Sequence, residues 1–165
     1  MRFSPLALTL GLAASALSVP GMTQKPDDQI IPRSIELTTQ AQASLASGNL
    51  DAAADSLETA LAVDPRNRAA FVTLGKVAIR QKLFGKAIRL TNKALSMEPT
   101  DREALLVQGQ AMVELGALPR AKDNLAKLQK LCGTAGCSQV ASLSASIVKG
   151  PAMAAATPAT AKKVN

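Results

Sequence analysis

Residues 68–101, RAAFVTLGKVAIRQKLFGKAIRLTNKALSMEPTD, decide the fold. Apolar and small side chains return every three to four positions in two runs, 68–82 and 85–97, and Glu98-Pro99 closes the second. That spacing predicts two amphipathic helices joined by a short turn. Proline ends the pair because it cannot continue a helix and forces the residue before it to be extended.

Outward from this stretch the pattern repeats. Asp64-Pro65 precedes Glu98-Pro99 by 34 residues, and the same step links Ala53, Ala87 and Ala121. In register, three units run over 34–67, 68–101 and 102–135 with no insertion between them. A fixed period of this length means stacked helix-turn-helix units, each too small to bury its apolar face alone. Helices are expected at 35–47, 51–63, 68–82, 85–97, 102–115 and 119–131, with a seventh at 138–149, where Val140, Leu143, Ile147 and Val148 recur at helical spacing. The seventh is expected to cap the third unit, whose apolar side would otherwise face water.

The repeat resembles the tetratricopeptide repeat family. In the middle unit Phe71, Leu74, Gly75 and Ala78 stand at the first-helix signature, and Ala87, Ala94 and Pro99 at the second-helix signature. Small residues are expected where the two helices cross, at Gly75 with Ala87, Ala41 with Ala53 and Gly109 with Ala121. Leu50, Phe84 and Leu118 begin the three second helices as plugs. The outer units depart from the pattern: Gln40 and Gln108 stand where Leu74 does, Gly133 replaces the closing proline, and Leu128 replaces a small residue. The fold class is therefore all-α, a tetratricopeptide-repeat solenoid of three units with a C-terminal capping helix.

The chain begins with Arg2, an apolar run over 6–17 and the small-x-small site Ala14-Ser15-Ala16, which reads as a secretory signal over 1–16. The run stops at Pro20-Gly21, short of the roughly 20 apolar residues a membrane span needs. The mature protein is expected in the periplasm or secreted, with no stable membrane anchor. Residues 17–33 carry Pro20, Gly21, Pro26 and Pro32 among polar residues, and 150–165 are rich in Ala, Thr and Pro; neither has a period, and they are expected to be a disordered linker and a disordered tail outside the 34–149 domain. Cys132 and Cys137 suit an oxidising compartment and are expected to form a disulfide pinning the turn before the cap.

Composition excludes much chemistry. Apolar residues make up 47% of the chain, yet there is no Trp or Tyr, so the core is expected to be Ala, Leu, Val and Ile. The absence of His removes the commonest general base and metal ligand. No phosphate loop or metal-ligand cluster appears, and Asp51, Asp55 and Glu58 read as a solvated acidic helix face. No catalytic residue, cofactor or metal is expected. The formal net charge is +7, and it is uneven: the first unit carries net −4 and the second net +5. Export and the lack of aromatic stacking side chains count against nucleic acid as the partner.

By resemblance, the first helices of successive units line a concave groove holding another protein or peptide. The expected lining is Thr38, Gln42, Val72, Thr73, Lys76, Ile79, Arg80, Leu106, Gln110 and Val113, an apolar floor beside a basic wall of Lys76 and Arg80. Those two cations suit ordinary solvated positions equally well. The partner expected is a segment with apolar anchors and an acidic flank, bound to a monomeric scaffold. The family's clamp for a chaperone's terminal carboxylate needs Lys and Asn where this chain has Thr38, Gln42, Thr73, Glu103 and Val107. The layout is similar to small exported repeat proteins of pilus-assembly and secretion machines, the tight-adherence pilus type among them. The alternatives are an accessory or regulator of a cell-wall enzyme, and a basic protein bound to anionic envelope polymer.

Overall fold

A computed structural model describes residues 29–151. The expected secretory signal over 1–16, most of the expected linker and nearly all of the expected tail lie outside these residues. Seven helices follow one another in the described chain: α1 (Pro32–Ala46), α2 (Leu50–Val63), α3 (Arg68–Arg80), α4 (Phe84–Met97), α5 (Arg102–Glu114), α6 (Leu118–Cys132) and α7 (Ser138–Lys149). Each lies within three residues of its expected bounds. The largest difference is at α1, which starts at Pro32 rather than 35, so the last two residues of the expected linker form its first turn. Proline is at home there because the first helical N–H groups have no intrahelical partner.

Three helix starts, those of α2, α3 and α5, share one device. Asn49, Asn67 and Asp101 each accept a hydrogen bond from the backbone N–H three residues on, at Ala52, Ala70 and Ala104. Turns within units need a left-handed residue, supplied by Gly48 (φ 83°) and Gly116 (φ 74°) in the outer units. In the middle unit Lys82 takes that position at φ 61°, a conformation costly to a residue with a Cβ.

The helices form two layers. Helices α1, α3 and α5 approach closely in series, whereas the backbones of α2, α4 and α6 come close only to the first-layer helices and α7, not to one another. Closer spacing in the first layer makes it the inner, concave side and leaves α2, α4 and α6 as the convex side. Helix α7 meets α5 and α6 as α3 meets α1 and α2, so it stands where the next unit would begin. Its Leu143 is fully buried against Leu105, Leu106 and Leu128.

Small residues make the close stacking possible, but not always at the expected crossing. Ala41 and Ala53 are fully buried in one cluster, with Leu57 and Leu74. A Cβ on Gly75 would stand 3.2 Å from Thr91 of α4 and 3.3 Å from Val107 of α5, so Gly75 serves the contact between units as well as that within its own. A Cβ on Gly109 would come within 2.7 Å of both terminal methyl carbons of Leu143. Its nearest neighbour is thus the cap rather than Ala121. The departures from the repeat pattern also acquire a cause. Buried Gln108 donates to Asn92 Oδ1 of α4 (2.6 Å) and accepts from Asn124 Nδ2 of α6 (2.9 Å), joining both flanking convex helices. Leu50, Phe84 and Leu118 each pack, partly buried, against a separate core cluster. Cys132 and Cys137 are joined in a disulfide, 5.7 Å apart at Cα, between α6 and α7.

Candidate functional site

The concave side is built from the loops that end each unit. In the first, Asp64 is buried and accepts from the Ile31 N–H (2.9 Å), the Arg66 N–H (3.0 Å) and the Arg66 guanidinium (3.2 Å). The Arg66 hydrogen bonds come first among the causes that hold its carboxyl down at about 2, with the Ile31 N–H next, against the opposing effect of burial. Arg66 also donates to the Gln29 carbonyl, so this loop fastens the chain entering α1. Glu98 is the counterpart one unit later. It accepts from the Thr100 hydroxyl and N–H, and these hydrogen bonds lower its pKa.

The starts of α1 and α3 are each tied to the loop that ends their unit. Ser34 Oγ donates to the Ala60 carbonyl and Thr38 Oγ1 to the Ser34 carbonyl, leaving both hydroxyl oxygens to accept from Asn67 Nδ2 at 2.8 and 3.0 Å. One unit later the corresponding residues are charged, and Arg68 pairs with Asp101. A neutral lock and an ionic lock therefore hold the same two positions.

These loops and helices enclose three adjoining clefts. The first, about 530 Å³, has an apolar side formed by Ile30, Ile35 and Met97 and a polar side that includes Thr39, Gln42 and Arg68. The second, about 150 Å³, lies over Val72, Thr73 and Lys76 and reaches Asp101 and Glu103. The third, about 330 Å³, continues past Arg102 to Gln139 of α7. Shared walls at Gln42, Arg68 and Glu103 make them one groove across the inner face. Ile35, 52% exposed, is the main apolar side chain open to solvent in it.

Of the expected lining, Thr38, Gln42, Val72, Thr73 and Lys76 border the first two clefts. Their roles differ from expectation. Thr38 and Thr73 are buried with their hydroxyls donated to Ser34 and Ala69 carbonyls. Lys76 Nζ lies 2.7 Å from Glu103 Oε1, so its charge is matched within the protein. Arg80 is exposed in the last turn of α3 and makes no ion pair among the described residues. The basic wall is thus reduced to one unmatched cation. Val72 and Ile79 are packed between units, with Ala94, Ala104 and Val107. Leu106 and Val113 lie among residues of α7, with Leu143 and Ile147 respectively. The expected apolar floor is therefore interior, and Gln110 borders none of the three clefts. Sequence reasoning missed Ile30, Ile35, Arg66, Arg68, Met97 and Glu98. The repeated acid-proline loops were the available signal, since they recur in register beside each inner-helix start.

The tetratricopeptide repeat model matches residues 38–96. No curated protein matches the chain. Among solved structures, the first repeat domain of Spaghetti (RPAP3), bound to the HSP90 peptide SRMEEVD, superposes with a TM-score of 0.64 at 20% identity, covering 71% of this chain and 91% of that one. The Sgt2 repeat domain of Aspergillus fumigatus gives 0.66 at 21% identity, with 72% and 80% covered. The second repeat domain of human RPAP3, in complex with the HSP70 peptide SGPTIEEVD, gives 0.62 at 17% identity, with 70% and 95% covered. The described helices therefore have the tetratricopeptide-repeat fold, and residues 38–96 carry the family's repeat pattern.

Proposed function

We propose that this protein is a non-catalytic scaffold of the bacterial envelope that holds an extended segment of another protein along its concave face. The observation that carries the reading is the continuous groove from Ile35 to Gln139, with an apolar end at Ile30, Ile35 and Met97. An apolar anchor of the partner would seat at that end. Similar domains of Spaghetti and human RPAP3 are bound to peptides, which supports the same use here. The internal pairs of Arg68 and Lys76 change the partner expected. An acidic flank must compete with Asp101 and Glu103 for those cations, so it would add register and salt sensitivity more than affinity. The placement in the envelope, and the assignment to pilus or secretion assembly, rest on the signal-like start and the layout of the chain.

The test uses the full-length chain in a bacterial host, with a photo-crosslinking side chain at Thr39 or Gln42 and a control at Thr59 on α2. One partner should be captured from the groove positions only, and Ile35→Asp should abolish capture while leaving the melting temperature within a few degrees of wild type. Capture of the same partner from Thr59, or survival of capture in Ile35→Asp, overturns the groove reading. Recovery of the chain from the cytosol with residues 1–16 still attached overturns the envelope placement.

A further inference from the structure

Ion pairs among the described residues are unevenly distributed. Arg33 pairs with Glu36, Arg66 with Asp64, Arg68 with Asp101, Lys76 with Glu103 and Lys86 with Glu58. All lie on the inner helices, their loops or the α2 and α4 junction. The convex face beyond that junction is different. Arg89 and Lys93 of α4 and Arg120, Lys122, Lys127 and Lys130 of α6 are exposed, and none of their side chains has a hydrogen-bonded or ionic partner among the described residues. Asp123 is the one carboxylate on these two helices. On the concave side Arg66, Arg68 and Lys76 are matched by carboxylates and Arg80 and Arg102 are not, whereas on the convex face of α4 and α6 none of these six cations is matched.

Apolar side chains are exposed beside those cations. Leu83, at the start of α4, is 47% exposed, and Leu115, at the end of α5, is 55% exposed. Both are in turns within units. The two turns are neighbours, because Ile88 of α4 packs with Phe84 in one cluster and with Met112, Ala117 and Leu118 in the next. Lys82 precedes Leu83, and Arg120 opens α6 just past Leu118. Buried contact explains neither leucine.

We propose that the convex face of α4 and α6, with the turn edge carrying Leu83 and Leu115, is a peripheral docking surface for a bilayer rich in anionic phospholipid. Compact ammonium groups without matched carboxylates suit a dense plane of headgroup phosphates, and unpaired cations near such a surface each add to the attraction. The leucines suit the headgroup boundary, where apolar side chains beside cations insert shallowly. Nucleic acid would use aromatic stacking, and no aromatic side chain is exposed on this face. An anionic glycan would use the cations but gain nothing from the leucines. Docking by this side leaves the groove facing away from the bilayer.

The test is co-sedimentation of the full mature protein with phosphatidylcholine vesicles, with and without about one third phosphatidylglycerol. Wild type should sediment only with the anionic vesicles, and raising salt from about 0.05 M to about 0.5 M should release most of it. Arg89→Glu/Lys93→Glu and Lys127→Glu/Lys130→Glu should each reduce bound protein at least ~10-fold at low salt, as loss of several phosphate attractions requires. Leu83→Ser/Leu115→Ser should leave low-salt binding near wild type but remove the fraction that survives high salt. The control Arg80→Glu/Arg102→Glu, an equal change in net charge on the concave side, should sediment like wild type. Equal loss in the control reduces the effect to bulk charge and overturns the proposal. Sedimentation with neutral vesicles alone overturns it also, as does binding to soluble anionic glycan without binding to vesicles.

Discussion

The contact between Gly109 and Leu143 predicts a change of sign. A methyl group on Gly109 would stand 2.7 Å from both terminal carbons of Leu143, which is fully buried among Leu105, Leu106 and Leu128, so the Leu143 side chain must shift against those neighbours. Gly109→Ala should therefore cost ~1–3 kcal/mol of overpacking, offset by ~1 kcal/mol from replacing glycine within a helix. The net result is a modest destabilisation of about 1 kcal/mol. Leu143→Ala alone should cost ~3 kcal/mol, from lost burial and the cavity left between α5, α6 and α7. In the Leu143→Ala background the clash is gone, the new methyl fills part of the cavity and the helix-propensity gain remains. There Gly109→Ala should stabilise, by about 1–2 kcal/mol. The four proteins of this cycle are compared by urea unfolding followed by far-UV circular dichroism, fitted with a common slope. A coupling of ~2 kcal/mol or more is expected. If Gly109→Ala destabilises both backgrounds equally, α7 does not seat on Gly109 and the capping role assigned to it is wrong.

Three further outcomes follow from single sites. Asp64 has a folded pKa lowered to about 2 from an ordinary 3.8, so its contribution is fully present above about pH 4 and is lost as pH falls toward 2. The melting temperature should decline through that window, and Asp64→Asn should flatten the decline while lowering the neutral-pH value. Lys82→Gly should raise stability by up to ~1 kcal/mol, because φ 61° strains a residue with a Cβ; a drop in thermal unfolding temperature would contradict that assignment. Reducing the Cys132–Cys137 bond, which closes a short loop, should cost about 2 kcal/mol and leave the helical signal at room temperature unchanged. Loss of the helical signal on reduction would show that the bond holds more than the α6–α7 turn.

The architecture was legible in the sequence because its information is local and repeated. The 34-residue step, the closing prolines and the helical spacing of Ala, Leu and Val depend on neighbours within one unit, so the helices fall within three residues of expectation. Even the cap followed from local pattern, through Val140, Leu143 and Ile147. The groove was legible only as a set of positions. Which of Thr38, Val72, Lys76, Leu106 and Val113 faces a partner depends on the residue that meets it from another unit, and no period encodes that. Glu103 neutralises Lys76 from the following helix, Asn67 occupies the Thr38 hydroxyl from the following loop, and α7 covers Leu106 and Val113. Net charge per unit was countable along the chain. That Arg68 and Lys76 are matched on the concave side while the cations of α4 and α6 on the convex side are not arises from side chains brought together across stacked units, contacts that exist only once the helices have docked.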